Sequence, residues 1–293
     1  MMKINFELLK KPNLWSYASL RGRNIMMDKA EGKKVSEDKK EALEYIIKKA
    51  DLPINEVNQM LREIKEALLA CNYNVKQVKI RALSRVLVGS SETFGEIPFE
   101  VGVYFDPIIN SPYMPGSTIK GAVRSATFNL LYRGKFEENK RRMDIENARR
   151  AAENFAEENC RRIFGGLLGK DQSAGLVGFT DAYPIRKGDH GLLFYPDVIT
   201  PHYKDDVRTE LEVKPIPIIY LTIAPGTEFQ FFMFYKRRRG IRELTNNDLL
   251  DLPTRWQMGI VDRGLLYAFI RGVGAKTALG YSRFEILSYE EVS

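Results

Sequence analysis

The spacing of apolar residues predicts helices at the start of the chain and a mixture of strands and helices after it. Between residues 36 and 50 apolar positions recur every three to four residues, and the same period returns between 55 and 68. From Gln77 the period becomes two, so that apolar side chains alternate with cations as in a half-buried strand. Residues 1–35 are polar and predict either an irregular arm that orders on a partner or an ordinary surface loop.

The later part of the chain predicts a defined succession of elements. These are strand 77–88, helix 117–133, strand 175–185, a hairpin of two strands within 218–235, helix 253–270 and strand 279–288. This β-α-β-β-α-β order is typical of an α+β, ferredoxin-like (RRM-like) fold, with an antiparallel sheet and helices on one face. We therefore expect an arm and N-terminal helical extension over 1–76 and a ferredoxin-like domain over 77–293, with a charged helical insertion near 137–164.

Composition narrows the class of protein. No apolar run reaches the length of a membrane span, and the first residues do not resemble a signal peptide, so we expect a soluble, cytoplasmic protein that does not contact a membrane. The two cysteines, Cys71 and Cys160, lie in unrelated contexts and indicate neither a metal cluster nor a disulfide framework. No motif indicates a cofactor. The chain has 45 basic and 38 acidic residues, a net charge of +7 that favours a polyanionic partner.

The segment from Arg271 to Phe284, RGVGAKTALGYSRF, is the densest cluster of glycine and positive charge. It carries Gly272, Gly274, Gly280 and the cations Arg271 and Lys276 between a predicted helix and the last predicted strand. Glycines allow positive φ and close backbone approach, and together with fixed cations they are typical of a phosphate cradle. A helix cap at Gly272 followed by a tight turn explains the same pattern equally well.

Two well-known nucleotide motifs do not fit this segment. A P-loop requires glycine directly before the lysine, and here Ala275 precedes Lys276. The dinucleotide fingerprint requires a third glycine where Thr277 stands, and it opens a helix, whereas this segment follows one. These mismatches disfavour a nucleotide-hydrolysing enzyme.

A second candidate anion site lies at the predicted helix start PGSTIKGAVRSA, residues 115–126. Ser117 can serve as the N-cap, and Lys120 and Arg124 are four residues apart, so they lie near each other on the helix. A helix N-terminus carries free N–H groups and partial positive charge, to which these cations would add. Further along, the charged segment 137–164 predicts a solvated helix, in which Arg161 and Arg162 are candidate RNA contacts.

Catalytic chemistry has little support in the sequence. RNA cleavage without a metal usually needs a general base and acid, most often histidine, and the chain has only His190 and His202. The first lies in a Gly-Asp-His-Gly turn typical of a surface loop, and the second is explained by packing or hydrogen bonding. The adjacent Asp205 and Asp206 are expected to be solvated. We therefore expect no enzyme activity.

Two spaced motifs together resemble those of the RAMP superfamily of CRISPR-associated proteins, and two more narrow the resemblance. The segment Gly272 to Tyr281 fits the superfamily signature G-x-G-x-x-T-x-x-G-[YF], and residues 115–126 resemble its second motif. GFTDAYP (178–184) and DVITPHY (197–203) narrow the resemblance to the sixth-subunit family of the Cmr complex, the type III-B RNA-guided effector. The resemblance covers residues from about 77 to 288. The sequence departs from the family at Ser282, where many relatives have a further glycine.

This resemblance implies a structural, non-catalytic RNA-binding subunit that functions in antiviral RNA targeting. The alternative that it leaves open is a RAMP-family endoribonuclease acting on guide precursor or target RNA. The resemblance also implies a ferredoxin-like RAMP fold that helps to hold the 3′ part of the guide (CRISPR) RNA beside other RAMP subunits of the Cmr complex, and that meets target RNA indirectly. Together with the analysis of the residues, it gives these candidate RNA-binding residues: Lys120, Arg124, Arg161, Arg162, Arg271, Gly272, Gly274, Lys276 and Gly280.

Overall fold

A computed structural model describes most of the chain. The described residues are 13–92, 94, 95, 99, 101–166, 174–200, 217–236 and 259–292. Within them the helices are α1 (Leu14–Ala30), α2 (Ser36–Lys49), α3 (Ile54–Ala70), α4 (Gly116–Asn139), α5 (Ile145–Phe164) and α6 (Ile260–Arg271). None of the helices among these residues is long and apolar enough to cross a membrane.

The strands form one antiparallel five-stranded sheet and two small ribbons. They are β1 (Tyr73–Ala82), β2 (Phe105–Asp106), β3 (Ser111–Pro112), β4 (Val177–Phe179), β5 (Tyr183–Arg186), β6 (Phe194–Ile199), β7 (Ile218–Ile223), β8 (Glu228–Lys236) and β9 (Phe284–Val292). In the main sheet β9 pairs with β1, β1 with β8, and β8 with both β4 and β5. β2 pairs with β3, and β6 pairs with β7. The predicted mixture of helices and antiparallel sheet is confirmed.

Helices lie on both faces of the main sheet. α4 and α6, the helices of the predicted domain, lie on one face, and α3 of the N-terminal extension lies on the other. On one face Phe231 of β8 packs against Phe269 of α6, with ring centroids 5.8 Å apart. Phe232, the next residue, points the other way and packs with Val57 and Leu61 of α3 in a separate apolar cluster. Consecutive strand residues face opposite sides, and β8 has apolar residues at both, so each side requires a cover.

The predicted hairpin within 218–235 is wrong. β7 and β8 follow each other across residues 224–227, but β7 pairs with β6 and β8 pairs with β1. The turn bonds to other parts of the chain, since the N–H of Gly226 donates to the carbonyl of Ala82. The connection therefore carries the chain from the small ribbon into the main sheet.

The N-terminal region is helical and packed, contrary to the irregular arm that its polarity predicted. Leu14, Tyr17 and Ile25 of α1 are buried in the main core, and the side chain of Asn13 caps the helix. These apolar residues keep a helical spacing, but the polar residues between them hide it in a short window. The expected boundary between 76 and 77 falls inside β1. Residues 1–12 and 253–258 lie outside the described part.

Helices α4 and α6 touch at a glycine. A Cβ atom added at Gly264 would lie 2.1 Å from the Oγ1 atom of Thr127. That hydroxyl is fully buried and has no hydrogen-bond partner in the structure. The pair thus fixes the distance between the two helices that cover this face of the sheet.

This contact predicts a stability difference between two glycine substitutions. We expect Gly264→Ala to lower the free energy of unfolding by about 1–3 kcal/mol, because the new methyl group meets packed atoms. Gly121→Ala, in α4 with open space around it, should instead stabilise by up to about 1 kcal/mol. Urea denaturation of both variants measures this. Adding Thr127→Ala to Gly264→Ala should restore much of the lost unfolding free energy. If Gly264→Ala costs the same in the parent and in the Thr127→Ala variant, the proposed contact is contradicted.

Candidate nucleic-acid interface

The glycine segment begins where α6 ends. Gly272 is the C-cap of α6 with φ of 111°, which confirms the predicted helix end. Gly274 and Gly280 also have positive φ, at 123° and 88°. Lys276 adopts the left-handed conformation as well, with φ of 55°. The density of glycine in this segment therefore follows from a chain path that other residues adopt only with strain.

The close backbone approach at these glycines is to the protein itself. A Cβ on Gly274 would lie 2.6 Å from the carbonyl oxygen of Leu87, and one on Gly272 would lie 2.7 Å from that of Tyr281. The N–H of Ala275 also donates to the Leu87 carbonyl at 2.8 Å. Gly280 has nothing within 4 Å, so its requirement is conformational only. The segment is thus folded onto residues that follow β1.

Ser282 stands where the family resemblance led us to expect a further glycine, and its geometry suits serine. It has φ of 56° and is fully buried. Its hydroxyl oxygen accepts a hydrogen bond of 3.0 Å from the N–H of Leu87. This bond, available to serine and not to glycine, offsets part of the conformational cost of positive φ.

Lys276 is held by aromatic groups inside the segment. Its Nζ donates to the hydroxyl of Tyr220 at 2.8 Å and lies 4.4 Å from the centre of that ring and 5.6 Å from that of Tyr281. Burial lowers the pKa of Lys276 from its ordinary value, and the charge of Asp197 opposes this shift. Burial also raises the pKa of Tyr220, which favours its neutral, hydrogen-bonding form.

Asp197 is a residue of this candidate site that sequence reasoning missed. It is 8% exposed and accepts hydrogen bonds from Arg85 at 2.9 Å and from the Tyr281 hydroxyl. Tyr281 in turn lies 3.3 Å from the Tyr220 hydroxyl, which binds Lys276. Asp197 opens the DVITPHY motif, and Tyr281 closes the glycine signature. The two motifs therefore touch, a contact that spacing along the chain does not reveal.

The helix start differs from the prediction. α4 begins at Gly116, with Pro115 at the N-cap and no side-chain cap, so Ser117 does not cap it. The N–H of Gly116 donates instead to the carboxylate of Asp181 at 2.7 Å. A negative group of the same chain already occupies this N-terminal N–H, which a phosphate would otherwise bind.

The cations on α4 and α5 divide into paired and unpaired groups. Arg124 and Arg161 both contact Oε1 of Glu157, at 3.0 and 3.1 Å. Arg162 is exposed, and Lys120 is partly exposed on α4 one turn from its start. The structure therefore brings Arg124 and Arg161 together, as neighbours that share one carboxylate.

Arg271 is the last residue of α6, next to the glycine segment. Arg271 is exposed and its guanidinium lies 4.6 Å from the centre of the Tyr267 ring.

Gly274 packs on Val88, whose carbonyl accepts a hydrogen bond from the N–H of Tyr104, and the Tyr104 carbonyl accepts one from the N–H of Tyr113 just before α4. Backbone hydrogen bonds thus link the glycine segment to the start of α4.

The remaining polar residues give no catalytic constellation in the part of the chain that the structure describes. His190 is exposed in a short 3₁₀ turn, with φ of 57°. No group of three or more His, Cys, Asp or Glu side chains among the described residues is placed to hold a metal ion. His202 and the pair Asp205 and Asp206 lie outside these residues.

The class of protein follows from the fold and the glycine segment together with comparison to known families. The family model of the RAMP superfamily matches residues 79–285, which run from β1 into β9. The chain therefore belongs to the RAMP superfamily. The predicted family resemblance is confirmed.

Within that superfamily the chain is similar to two Cmr6 proteins and to a chain of one solved complex. The chain is 32% identical over 272 residues to the CRISPR system CMR subunit Cmr6 of Saccharolobus solfataricus, which covers 92% of this chain and 79% of the relative. It is 28% identical over 246 residues to Cmr6 of Pyrococcus furiosus, covering 70% and 66%. A chain in the cryo-EM structure of type III-B Cmr-beta bound to cognate target RNA superposes with a TM-score of 0.72 at 28% identity, covering 98% and 95%.

The Asp197 contacts predict a large effect from a small change. Asp197→Asn removes the negative charge between Arg85 and Lys276, and we expect a loss of about 1–3 kcal/mol in unfolding free energy. Because Arg85 is partly exposed, we expect this loss to be smaller than that for breaking a fully buried ion pair. The matched control is Asp38→Asn, which breaks a pair with Arg21 whose carboxylate is 35% exposed, against 8% for that of Asp197, and should cost under about 1 kcal/mol.

A double-variant cycle identifies the path of this effect. Tyr281→Phe removes the hydroxyl that donates to Asp197, so the two substitutions should be less than additive in urea denaturation. Strict additivity would show that Tyr281 and Asp197 act separately.

Proposed function

We propose that this protein is a non-catalytic, RNA-binding subunit of a type III-B Cmr effector complex. Its role would be to hold the 3′ part of the guide RNA beside neighbouring RAMP subunits, for antiviral RNA targeting. The observation that carries the proposal is the 32% identity to a Cmr6 protein across 92% of the chain. The similarity over nearly the full length to a chain from Cmr-beta bound to target RNA supports it.

We further propose that the domain is ferredoxin-like. The order β9-β1-β8-β4/β5 supports this, with α4 between β1 and β4 in the chain and α6 between β8 and β9. In this arrangement the start of α4 follows the central strand β1, and the glycine segment precedes the edge strand β9. One RNA backbone could therefore meet both candidate anion sites.

The proposed RNA contacts are electrostatic and independent of base sequence. Lys120, Arg162 and Arg271 carry charge that no carboxylate contact in the described structure neutralises, and these cations suit phosphates. Arg124 and Arg161 share Glu157 and would contribute less. Lys276 donates to Tyr220 but retains further N–H donors for a phosphate. Gly272, Gly274 and Gly280 would shape the segment that presents this lysine. Guide–target pairing would read sequence.

A salt series tests this arrangement. Lys120→Ala and Lys276→Met should each weaken RNA binding and lower the salt slope of log affinity by roughly 0.7–0.9, the value for one phosphate contact. Methionine is chosen at 276 to keep the packing on the tyrosine rings. Arg124→Ala should change the slope less, because Glu157 already compensates its charge.

The matched control removes an equal charge elsewhere. Arg149 is exposed on α5, and Arg149→Ala should leave the slope nearly unchanged. Slopes for Lys120→Ala and Lys276→Met equal to that of the control would exclude these residues as phosphate contacts. RNA copurifying with a tagged chain from its host, and the subunits beside it, would test the assignment to the complex directly.

A cleavage assay tests the non-catalytic role. We expect reconstituted complex carrying His202→Ala or His190→Ala to cleave target RNA at the parental single-turnover rate and positions, because the sequence gives neither histidine an evident partner for acid–base catalysis. Complexes are compared at equal RNA occupancy. Loss of one particular cut with assembly intact would favour the endoribonuclease alternative.

A further inference from the structure

An open cleft lies between α3 and the face of the main sheet turned away from α4 and α6. Its volume is about 590 Å³, within the roughly 300–1,000 Å³ that small-molecule sites occupy. The lining is formed by Asn55, Asn58, Gln59, Leu61, Arg62, Lys65, Gln77, Gln230 and Phe232. The cleft is therefore distinct from the glycine segment and from the start of α4.

Amide side chains predominate in this lining. Five of its nine residues are amides and two are cations, and none of the nine is a carboxylate. The buried side chains of Leu61 and Phe232 form an apolar floor. Amides offer a donor and an acceptor in one plane, which suits the polar edge of a nucleobase, and the cations suit a phosphate.

The main sheet positions the two glutamines of the lining. Gln77 of β1 is opposite Phe232 of β8, and Lys79 is opposite Gln230, so both amides lie on the same face one pair apart. Both glutamines are partly exposed. On the α3 side Gln59 donates to Glu63 at 2.9 Å and the Nε of Arg62 donates to the carbonyl of Asn58 at 3.3 Å. The guanidinium of Arg62 therefore keeps its terminal N–H groups for a ligand.

We propose that this cleft binds one unpaired nucleotide of single-stranded RNA, with the base edge on Gln77 and Gln230 and the phosphate on Arg62 and Lys65. RNA is favoured over a protein segment because the lining combines cations with amides and contains no carboxylate. Lys79, beside Gln230 on the same face, adds positive charge along the strand. The proposal rests on RNA binding by this chain but does not depend on the glycine segment.

Base preference is the distinguishing readout. Labelled hexaribonucleotides of A, C or U are titrated against the full chain by fluorescence anisotropy. We expect the parent to prefer one base, and Gln77→Leu with Gln230→Leu to reduce affinity for it by about fivefold or more, the lower end for one lost bidentate contact. Leucine is near glutamine in size, so the melting temperature should change little. Equal binding of all three oligomers by the parent, or an unchanged preference in the variant, would overturn base readout.

Charge variants and cross-linking locate the site. Arg62→Ala with Lys65→Ala should weaken all oligomers alike, whereas the control Lys48→Ala with Arg149→Ala, exposed cations of α2 and α5, should not. A 4-thiouridine oligomer should cross-link to peptides from α3, β1 or β8. Cross-links confined to residues 271–282 or to α4 would overturn the proposal.

The outcomes separate this proposal from the proposed function. If Lys120→Ala and Lys276→Met weaken RNA binding and the cleft variants do not, only the cleft proposal fails. If only the cleft variants weaken it, the electrostatic site proposed above fails. Cleft variants that keep parental RNA affinity but no longer join neighbouring subunits would show that the cleft is a protein interface, which also overturns the proposal.

Discussion

The pairing of β1 with β8 on one side and β9 on the other is the constraint on which the rest of the described structure depends. Val78 and Ile80 on one face and Val75 on the other are fully buried, so the strand requires cover on both sides. α4 and α6 supply one cover, and α3 supplies the second over part of the sheet. The part left uncovered beside α3 becomes the amide-lined cleft, and the residues that follow β1 receive the glycine segment.

Local signals allowed much of the fold to be predicted. Period-two alternation located β1, and helical periods located α2, α3 and α4. The predictions failed where the answer depended on distant partners. The turn at 224–227 has the composition of a hairpin, but β7 finds its partner in β6. α1 was missed because its buried residues are separated by polar ones, and their burial arises from contact with the remainder of the core.

The candidate site shows the same limit. Sequence reasoning found the glycines and cations because these residue types have local roles. It could not find the carboxylates that neutralise some of these groups. Glu157 pairs with Arg124 and Arg161, and Asp181 accepts a hydrogen bond from the N–H at the start of α4. Charge along a sequence overstates the charge offered to a ligand, because folding brings carboxylates to some cations and leaves others, such as Lys120, free of such contacts in the described structure.

The four segments that meet at Asp197 are far apart in the chain. Arg85 follows β1, Tyr220 lies in β7, and Tyr281 lies in the glycine segment, yet a continuous set of hydrogen bonds joins them. Separating the β6–β7 ribbon from the molecule would break these bonds and release Tyr281. We therefore expect the ribbon and the glycine segment to open as one unit, so that their amide hydrogens exchange with solvent together. A subunit packed against the ribbon would, by suppressing that opening, also rigidify the glycine segment, with no direct contact to it.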